Sequence, residues 1–263
     1  MLLRYLKSYI CNSVAELRIN EKRIIIRWQY RCRQEVGRHT AGAPAIISAF
    51  CGKRSFVRRK ISKFAYMNSD LTNITEWCEN IIIADADHID RVAFDLIVNF
   101  ERMLMRRIPQ ADMARWIDCV ALDGGVREGD NHTQVVLIHD KKNDRMENFL
   151  PSVYATELDG KAFSDNLGEF TISSLAVENM VGKDDLMCEV LAEACRRKEV
   201  TRIMVVPGEG ESYDAVRHEL RRAGDDKRVT VFAMQPMPGG NFRQEILGYS
   251  LMSALGIRAE ELK

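Results

Sequence analysis

The chain has 263 residues, of which 46% are hydrophobic and 29% are charged. It is therefore long enough for one large domain or two small ones and apolar enough to bury a core, which excludes a largely disordered protein. No apolar run approaches the roughly 18 residues of a membrane span, so we expect no membrane partner. The seven cysteines form no CxxC pair, which favours reduced thiols and a cytoplasmic location.

The formal net charge of zero conceals two oppositely charged segments. Residues 1–66 hold 15 basic and 3 acidic residues, a charge of +12, which leaves 23 basic and 35 acidic residues, a charge of −12, in residues 67–263. We interpret residues 1–66 as a basic N-terminal extension, either disordered or outside the native protein, and residues 67–263 as a single domain. A nucleic-acid-binding arm and an organellar leader are alternatives for the extension.

The domain opens with a strand at 81–84 that ends in Asp85-Ala86-Asp87-His88, and apolar spacing predicts a helix over 90–107. Further along the chain, the pattern predicts two strands, at 116–122 and 133–139, and a hairpin or irregular segment at 153–174. The last third alternates regularly. The predicted elements there are a helix at 185–197, a strand at 202–206, a helix at 213–222, a strand at 229–234 and a helix at 242–255. This alternation predicts a three-layer α/β/α fold with a mainly parallel central sheet.

Carboxylates gather where the predicted strands end, which is where open α/β sheets bind their ligands. Paired carboxylates repel one another, and a divalent cation is the usual way to keep them ionised at close range. All-oxygen ligands favour Mg²⁺ or Mn²⁺. The candidate metal ligands are Asp85, Asp87, Asp184, Asp185, Glu209, Glu211 and Asp214. Ordinary roles remain open for two of these pairs, since Asp184 and Asp185 could cap a helix and Glu209 and Glu211 could be solvated loop residues.

Three stretches carry a resemblance to a known family: IIIADADH at 81–88, GKDDLM at 182–187 and VVPGEGESYD at 205–214. In this order they resemble the NYN branch of the PIN-like nucleases over residues 81–234. The resemblance implies a PIN-like fold and a metal-dependent ribonuclease that hydrolyses RNA phosphodiesters. The implied catalytic residues are Asp85, Asp185, Glu209 and Glu211. The same interpretation assigns substrate binding to His88, Lys141 and Lys142. The sequence departs from the family pattern where Glu replaces Asp twice, Pro207 replaces Ser and His88 replaces Asn.

Two alternatives use the same residues. The stretch from Asp85 to Ile89 is similar to the DxDx(T/V) motif of haloacid-dehalogenase-like phosphatases, which would make Asp85 the nucleophile and Asp87 the general acid/base. Ile89 stands where that motif has Thr or Val. The other alternative is a PIN-like domain that has lost catalysis and serves as a binding or scaffold module. The charge of −12 over residues 67–263 favours it, because a nuclease must attract a polyanion.

Overall fold

The computed structural model describes residues 15–19, 22–26, 77–177, 182–221, 223–224, 226–235 and 239–262. The chain divides into two units, Met1–Lys60 and Ile61–Lys263. In the first unit, strands β1 (Ala15–Ile19) and β2 (Lys22–Ile26) pair in antiparallel register. The weak periodicity of this segment did not predict the pair. The rest of the predicted basic extension lies outside the described residues.

The second unit is built around a mainly parallel sheet. Its strands are β3 (Asn80–Asp85), β4 (Ala111–Asp112), β5 (Asn131–Asp140), β6 (Phe149–Leu150), β7 (Lys161–Asp165), β8 (Gly168–Val177), β9 (Arg202–Val206), β10 (Arg228–Ala233) and β11 (Arg243–Ile246). Strands β4 and β6 form a small parallel pair, and the other seven form one sheet in the order β11-β10-β9-β3-β5-β8-β7. Every neighbouring pair in this sheet is parallel except β7 and β8.

Helices cover both faces of this sheet. They are α1 (Ala86–Leu104), α2 (Met113–Asp123), α3 (Lys183–Arg196), α4 (Glu211–Leu220) and α5 (Leu247–Ala254). Side chains alternate across the fully buried strand β3, so Ile82 and Ala84 pack with α1, α2 and α5, while Ile81 and Ile83 pack with α3 and α4. The unit therefore has an α/β architecture with apolar layers on both sides of the sheet, as the sequence predicts.

The prediction of a strand at 116–122 is wrong, because this segment lies in α2. Asp112 caps that helix by accepting a hydrogen bond from the Arg115 amide at 3.1 Å. The buried residues of α2 recur at helical spacing: Met113, Trp116, Ile117, Val120 and Ala121. The aromatic and β-branched composition pointed to a strand, whereas this 3.6-residue period indicates the helix that is observed.

The prediction of a helix over 242–255 is wrong in its first part. The polar stretch Arg243–Ile246 forms β11, which pairs in parallel with β10 at the edge of the sheet, and α5 begins only at Leu247. By contrast, the strand at 202–206 is observed as predicted, and the segment at 153–174 does contain the predicted hairpin, β7 and β8. A short π-helix, Tyr154–Leu158, precedes that hairpin. Among the helices that the structure describes, none is both long and apolar enough to cross a membrane.

Candidate functional site

The sheet has one point at which its connections change direction. Without the antiparallel edge strand β7, the strands follow the order 3-2-1-4-5-6 of doubly wound folds, with β3 first in the chain and β9 fourth. The helix that follows β3 packs on one face of the sheet, and the helix that follows β9 packs on the other. The carboxyl ends of β3 and β9 therefore flank a crevice of the type in which open α/β sheets bind ligands.

Asp85, the last residue of β3, has a structural role at this crevice. It is the N-cap of α1, and its Oδ1 atom accepts hydrogen bonds from the His88 amide at 2.9 Å and from Lys183 Nζ at 2.6 Å. Its side chain is only 6% exposed. The sequence predicts a loop at 85–88, but α1 begins directly at Ala86 because this cap satisfies one of its free amides.

Asp87 lies in the first turn of α1 and connects it to the end of β5. Its Oδ2 atom accepts hydrogen bonds from Lys183 Nζ at 2.9 Å and from the Asp140 amide at 2.8 Å, while Oδ1 accepts from Asn143 Nδ2 at 2.6 Å. Burial alone would raise the pKa of Asp87, but these hydrogen bonds outweigh it and hold that pKa below its usual value. Asp87 is therefore an ionised acceptor with its donors supplied by the protein.

Lys183 joins the two carboxylates. It is the first residue of α3, and its ammonium group forms ion pairs with both Asp85 and Asp87 while its side chain stays 26% exposed. Burial lowers its pKa, but hydrogen bonding and attraction to Asp85 and Asp87 exceed that effect, so the pKa is raised. Sequence reasoning missed Lys183, although it stands inside the GKDDLM stretch that carried the resemblance.

His88, the predicted substrate-binding residue, is 2% exposed and its amide donates a hydrogen bond to Asp85. Burial lowers its pKa, and the opposing attraction of Asp85 and Glu209 does not restore it. Its Nδ1 atom lies 3.1 Å from Arg91 Nη2. Because a guanidinium group only donates hydrogen bonds, Nδ1 accepts this one, and the imidazole is neutral with its proton on Nε2.

In the loop after β9, the residue that approaches Asp85 is Gly208, which has no side chain; no carboxylate of this loop takes that place. A Cβ atom placed on Gly208 would lie 3.1 Å from Asp85 Oδ2, and the Gly208 amide donates a hydrogen bond to Ser212 Oγ at 3.2 Å. Glu209 is exposed and acts on His88 through its charge. Glu211 and Asp214 are exposed in the first turn of α4, where acidic residues are common.

The remaining predicted site residues divide between the crevice and its surroundings. Asp184 and Asp185 lie in the first turn of α3, with Asp184 half-buried and Asp185 exposed beside Gly182. Lys142 lines a cavity next to Asp87, whereas Lys141 is not among the residues that line it. Tyr154, which sequence reasoning also missed, lines the same cavity and stacks on His139 at 3.7 Å between ring centroids.

The arrangement of the predicted ligand side chains does not fit a magnesium or manganese centre. Lys183 Nζ already lies within hydrogen-bonding distance of both Asp85 and Asp87, in the position from which a cation would neutralise them. In the described part of the chain, no group of three or more His, Cys, Asp or Glu side chains is arranged to hold a metal ion. The seven predicted ligands are therefore not brought together as one cluster, and an ammonium group balances the central pair.

Comparisons with known proteins give a family but no function. No curated protein and no solved structure matches the chain. Residues 74–262, well over half of the chain, match a single family model, so the protein belongs to the group described as "Family of unknown function (DUF6621)".

Proposed function

We propose that residues 67–263 form a PIN-like binding module without metal-dependent catalysis, in which Lys183 takes the place of a divalent cation. The observation that carries this proposal is the double ion pair of Lys183 Nζ, at 2.6 Å from Asp85 and 2.9 Å from Asp87. A cation that belongs to the chain neutralises the same repulsion that otherwise calls for a metal ion. An ammonium group cannot activate water as a bound metal does.

The surroundings of Asp87 support the same proposal. Each of its oxygens already accepts a hydrogen bond from the protein, and its lowered pKa reflects donors that are fixed in the fold. A metal ion would have to displace Lys183 and compete with the Asp140 amide for the same oxygen. Among the described residues, no third His, Cys, Asp or Glu side chain joins Asp85 and Asp87 in a group that could hold the ion. Magnesium has strict requirements for geometry and dehydrates reluctantly, which makes such an exchange unfavourable.

The PIN-like assignment rests on the order of the elements. An acidic residue ends the first parallel strand, and two more open the helix before the fourth. A Gly-Glu-Gly loop follows the fourth strand at the switch point and leads into α4 at Glu211. RNA as a partner and a cytoplasmic location stay predictions from sequence. The charge of −12 over this region favours a partner held by a local group of cations over one held by a broad basic surface.

Calorimetric titration of Mn²⁺ into the 263-residue chain tests this proposal, with Asp85→Asn as the comparison. We expect the native chain and the variant to give the same heats, because Asp85 is already paired with Lys183. Saturable Mn²⁺ binding that disappears in Asp85→Asn would sink the proposal. It would establish a carboxylate metal site and justify an assay for the metal-dependent ribonuclease with Asp85, Asp185, Glu209 and Glu211 as catalytic residues.

A haloacid-dehalogenase-like phosphatase is the second candidate, favoured by the orientation of Asp85. Its Oδ1 atom is held by the His88 amide and Lys183, and Oδ2 faces Gly208, which offers no side chain. An attack by Oδ2 on phosphorus would form an acyl phosphate, and the departing alcohol would then need a proton. The lowered pKa of Asp87 makes it a poor donor of that proton. Release of nitrophenol from p-nitrophenyl phosphate, abolished by Asp85→Asn, would establish this alternative.

A further inference from the structure

A cavity of about 310 Å³ lies beside the Asp85–Asp87–Lys183 cluster, at the carboxyl edge of the sheet. It is formed by the first turns of α1, by the loop 142–147 that follows β5, and by Tyr154. Its volume is at the lower end of the range for small-molecule sites, which is about 300–1,000 Å³. Seven of the nine residues that line it are charged, so its preference for a ligand depends on which charges are already paired.

The two carboxylates on the α1 side are engaged by the protein. Asp87 accepts hydrogen bonds from Lys183, Asn143 and the Asp140 amide. Asp90 accepts them from the amides of Glu147 and Asn148 and from Asn148 Nδ2, at 2.8 to 3.2 Å. These bonds fix the loop after β5 against α1. Both carboxylates therefore belong to the wall of the cavity, where Lys183 offsets the charge of Asp87 and neutral amides hold Asp90 in place.

The two carboxylates of the loop after β5, Asp144 and Glu147, form ion pairs with Arg145 at the solvent-exposed edge of the cavity. Arg145 Nε lies 3.5 Å from Glu147 and 3.8 Å from Asp144. All three side chains are more than half exposed, so water and salt screen their charges strongly. This trio contributes little field inside the cavity.

Two cationic side chains of the lining, Arg91 and Lys142, form no ion pair with a carboxylate among the residues that the structure describes. Arg91 donates one hydrogen bond to the neutral His88 ring, which orients the guanidinium group without neutralising it. Lys142 bonds to Asp140 through its backbone amide, and within the described residues its ammonium group has no ion pair or hydrogen bond. One cation comes from α1 and the other from the loop after β5, and both line the same cavity.

We propose that this cavity binds a phosphate monoester anion through Arg91 and Lys142. An arginine fork combined with the point charge of a lysine suits a tetrahedral dianion better than a carboxylate, because three or more oxygens can accept from both sides. The volume leaves room for a small organic group next to Tyr154. The inference rests on the proposed binding module and names the chemistry of its ligand; the phosphate could belong to a free nucleotide or to the terminus of an RNA chain.

Titration of the 263-residue chain with adenosine 5′-monophosphate in the presence of EDTA tests the inference, with inorganic phosphate as a second probe. We expect saturable binding of the nucleotide that Arg91→Gln and Lys142→Gln each weaken about tenfold or more, since each change removes a charge-assisted hydrogen bond. Lys198→Gln is the matched control. It removes the same charge from an exposed position after the C-terminus of α3, some 20 Å of helix away from Lys183, and should leave the affinity unchanged.

A 5′-phosphorylated oligoribonucleotide distinguishes the two sources of phosphate. If RNA is the source, the oligonucleotide competes with the nucleotide and its binding also depends on Arg91 and Lys142; if a free nucleotide is the source, it does not compete. No nucleotide binding at millimolar concentration, or equal affinity in the native chain and both variants, would overturn the inference. Because EDTA removes metal ions, that failure is separate from the Mn²⁺ titration, which alone decides whether Lys183 has replaced a metal.

Discussion

Replacement of Lys183 by Met is the sharpest test of how the carboxylate pair is held. The change keeps the length of the side chain but leaves Asp85 and Asp87, which are 6% and 19% exposed, without their shared cation. Removal of one partner from a fully buried pair costs about 3–5 kcal/mol. Because Lys183 is 26% exposed and water can partly replace it, we expect a loss of about 2–3 kcal/mol at pH 7.

Urea unfolding followed by tryptophan fluorescence measures this loss, and its pH dependence checks the cause. The lowered pKa of Asp87 contributes stability that is present above its ordinary value of 3.8 and is lost as the pH falls through the folded-state value. The difference in the free energy of unfolding between Lys183→Met and the native chain should therefore become smaller as the pH falls below about 4, because Asp87 is then progressively protonated in both. Lys142→Met, an exposed lysine in the adjacent cavity, should cost less than about 0.5 kcal/mol. A Lys183→Met variant as stable as the Lys142→Met control would refute the reasoning.

Three further predictions concern other changes of charged groups. Burial and a hydrogen bond with Asp165 raise the pKa of Asp118 to about 7, so the native chain should lose stability as the pH rises from 4 to 7, whereas Asp118→Asn should not. Between pH 4 and 7, the free energy of unfolding of the native chain should fall by about 1–2 kcal/mol relative to that of Asp118→Asn, measured by urea unfolding. This value allows for the partial exposure of Asp118, which weakens the effect. Asp90→Ala should release the loop after β5, with faster hydrogen exchange at the Asn148 amide and a cost of about 1–3 kcal/mol. Lys183→Ala should gain a thermal stabilisation by Mn²⁺ that the native chain lacks, because it leaves the paired carboxylates without a cation.

The fold could be predicted where the apolar residues follow one clear pattern, either the continuous run of a buried strand or the regular spacing of an amphipathic helix. The central strand, Ile81 to Ala84, has no polar interruption, and a fully buried position in a parallel sheet is what such a run indicates. The prediction failed at Trp116, where side-chain composition favoured a strand and spacing favoured a helix. It failed again at Arg243–Ile246, because a short polar edge strand is held by its pairing with β10 and carries no apolar pattern.

The candidate site could be predicted in position but not in its contacts. Asp85 and Asp87, at the end of β3 and the start of α1, lie at the crevice between β3 and β9, since topology fixes where strand ends meet. Asp87 accepts hydrogen bonds from Asp140, Asn143 and Lys183, which lie 53, 56 and 96 positions further along the chain. Such long-range hydrogen bonds have no local sequence pattern, so each carboxylate looked like an available metal ligand.

The charges at the start of α3 nevertheless indicated that Lys183 has carboxylate partners. Acidic residues are favoured in the first turn of a helix and cations are disfavoured there, because of the partial positive charge of the unpaired amides. Asp184 and Asp185 therefore occupy positions that need no further explanation, whereas Lys183 stands where the helix itself opposes it. Its unfavourable position is offset by two carboxylates delivered from β3 and α1. In the stretch Gly182-Lys183-Asp184-Asp185, the residue most informative about the site is thus the lysine, because it is the one that pairs with both aspartates.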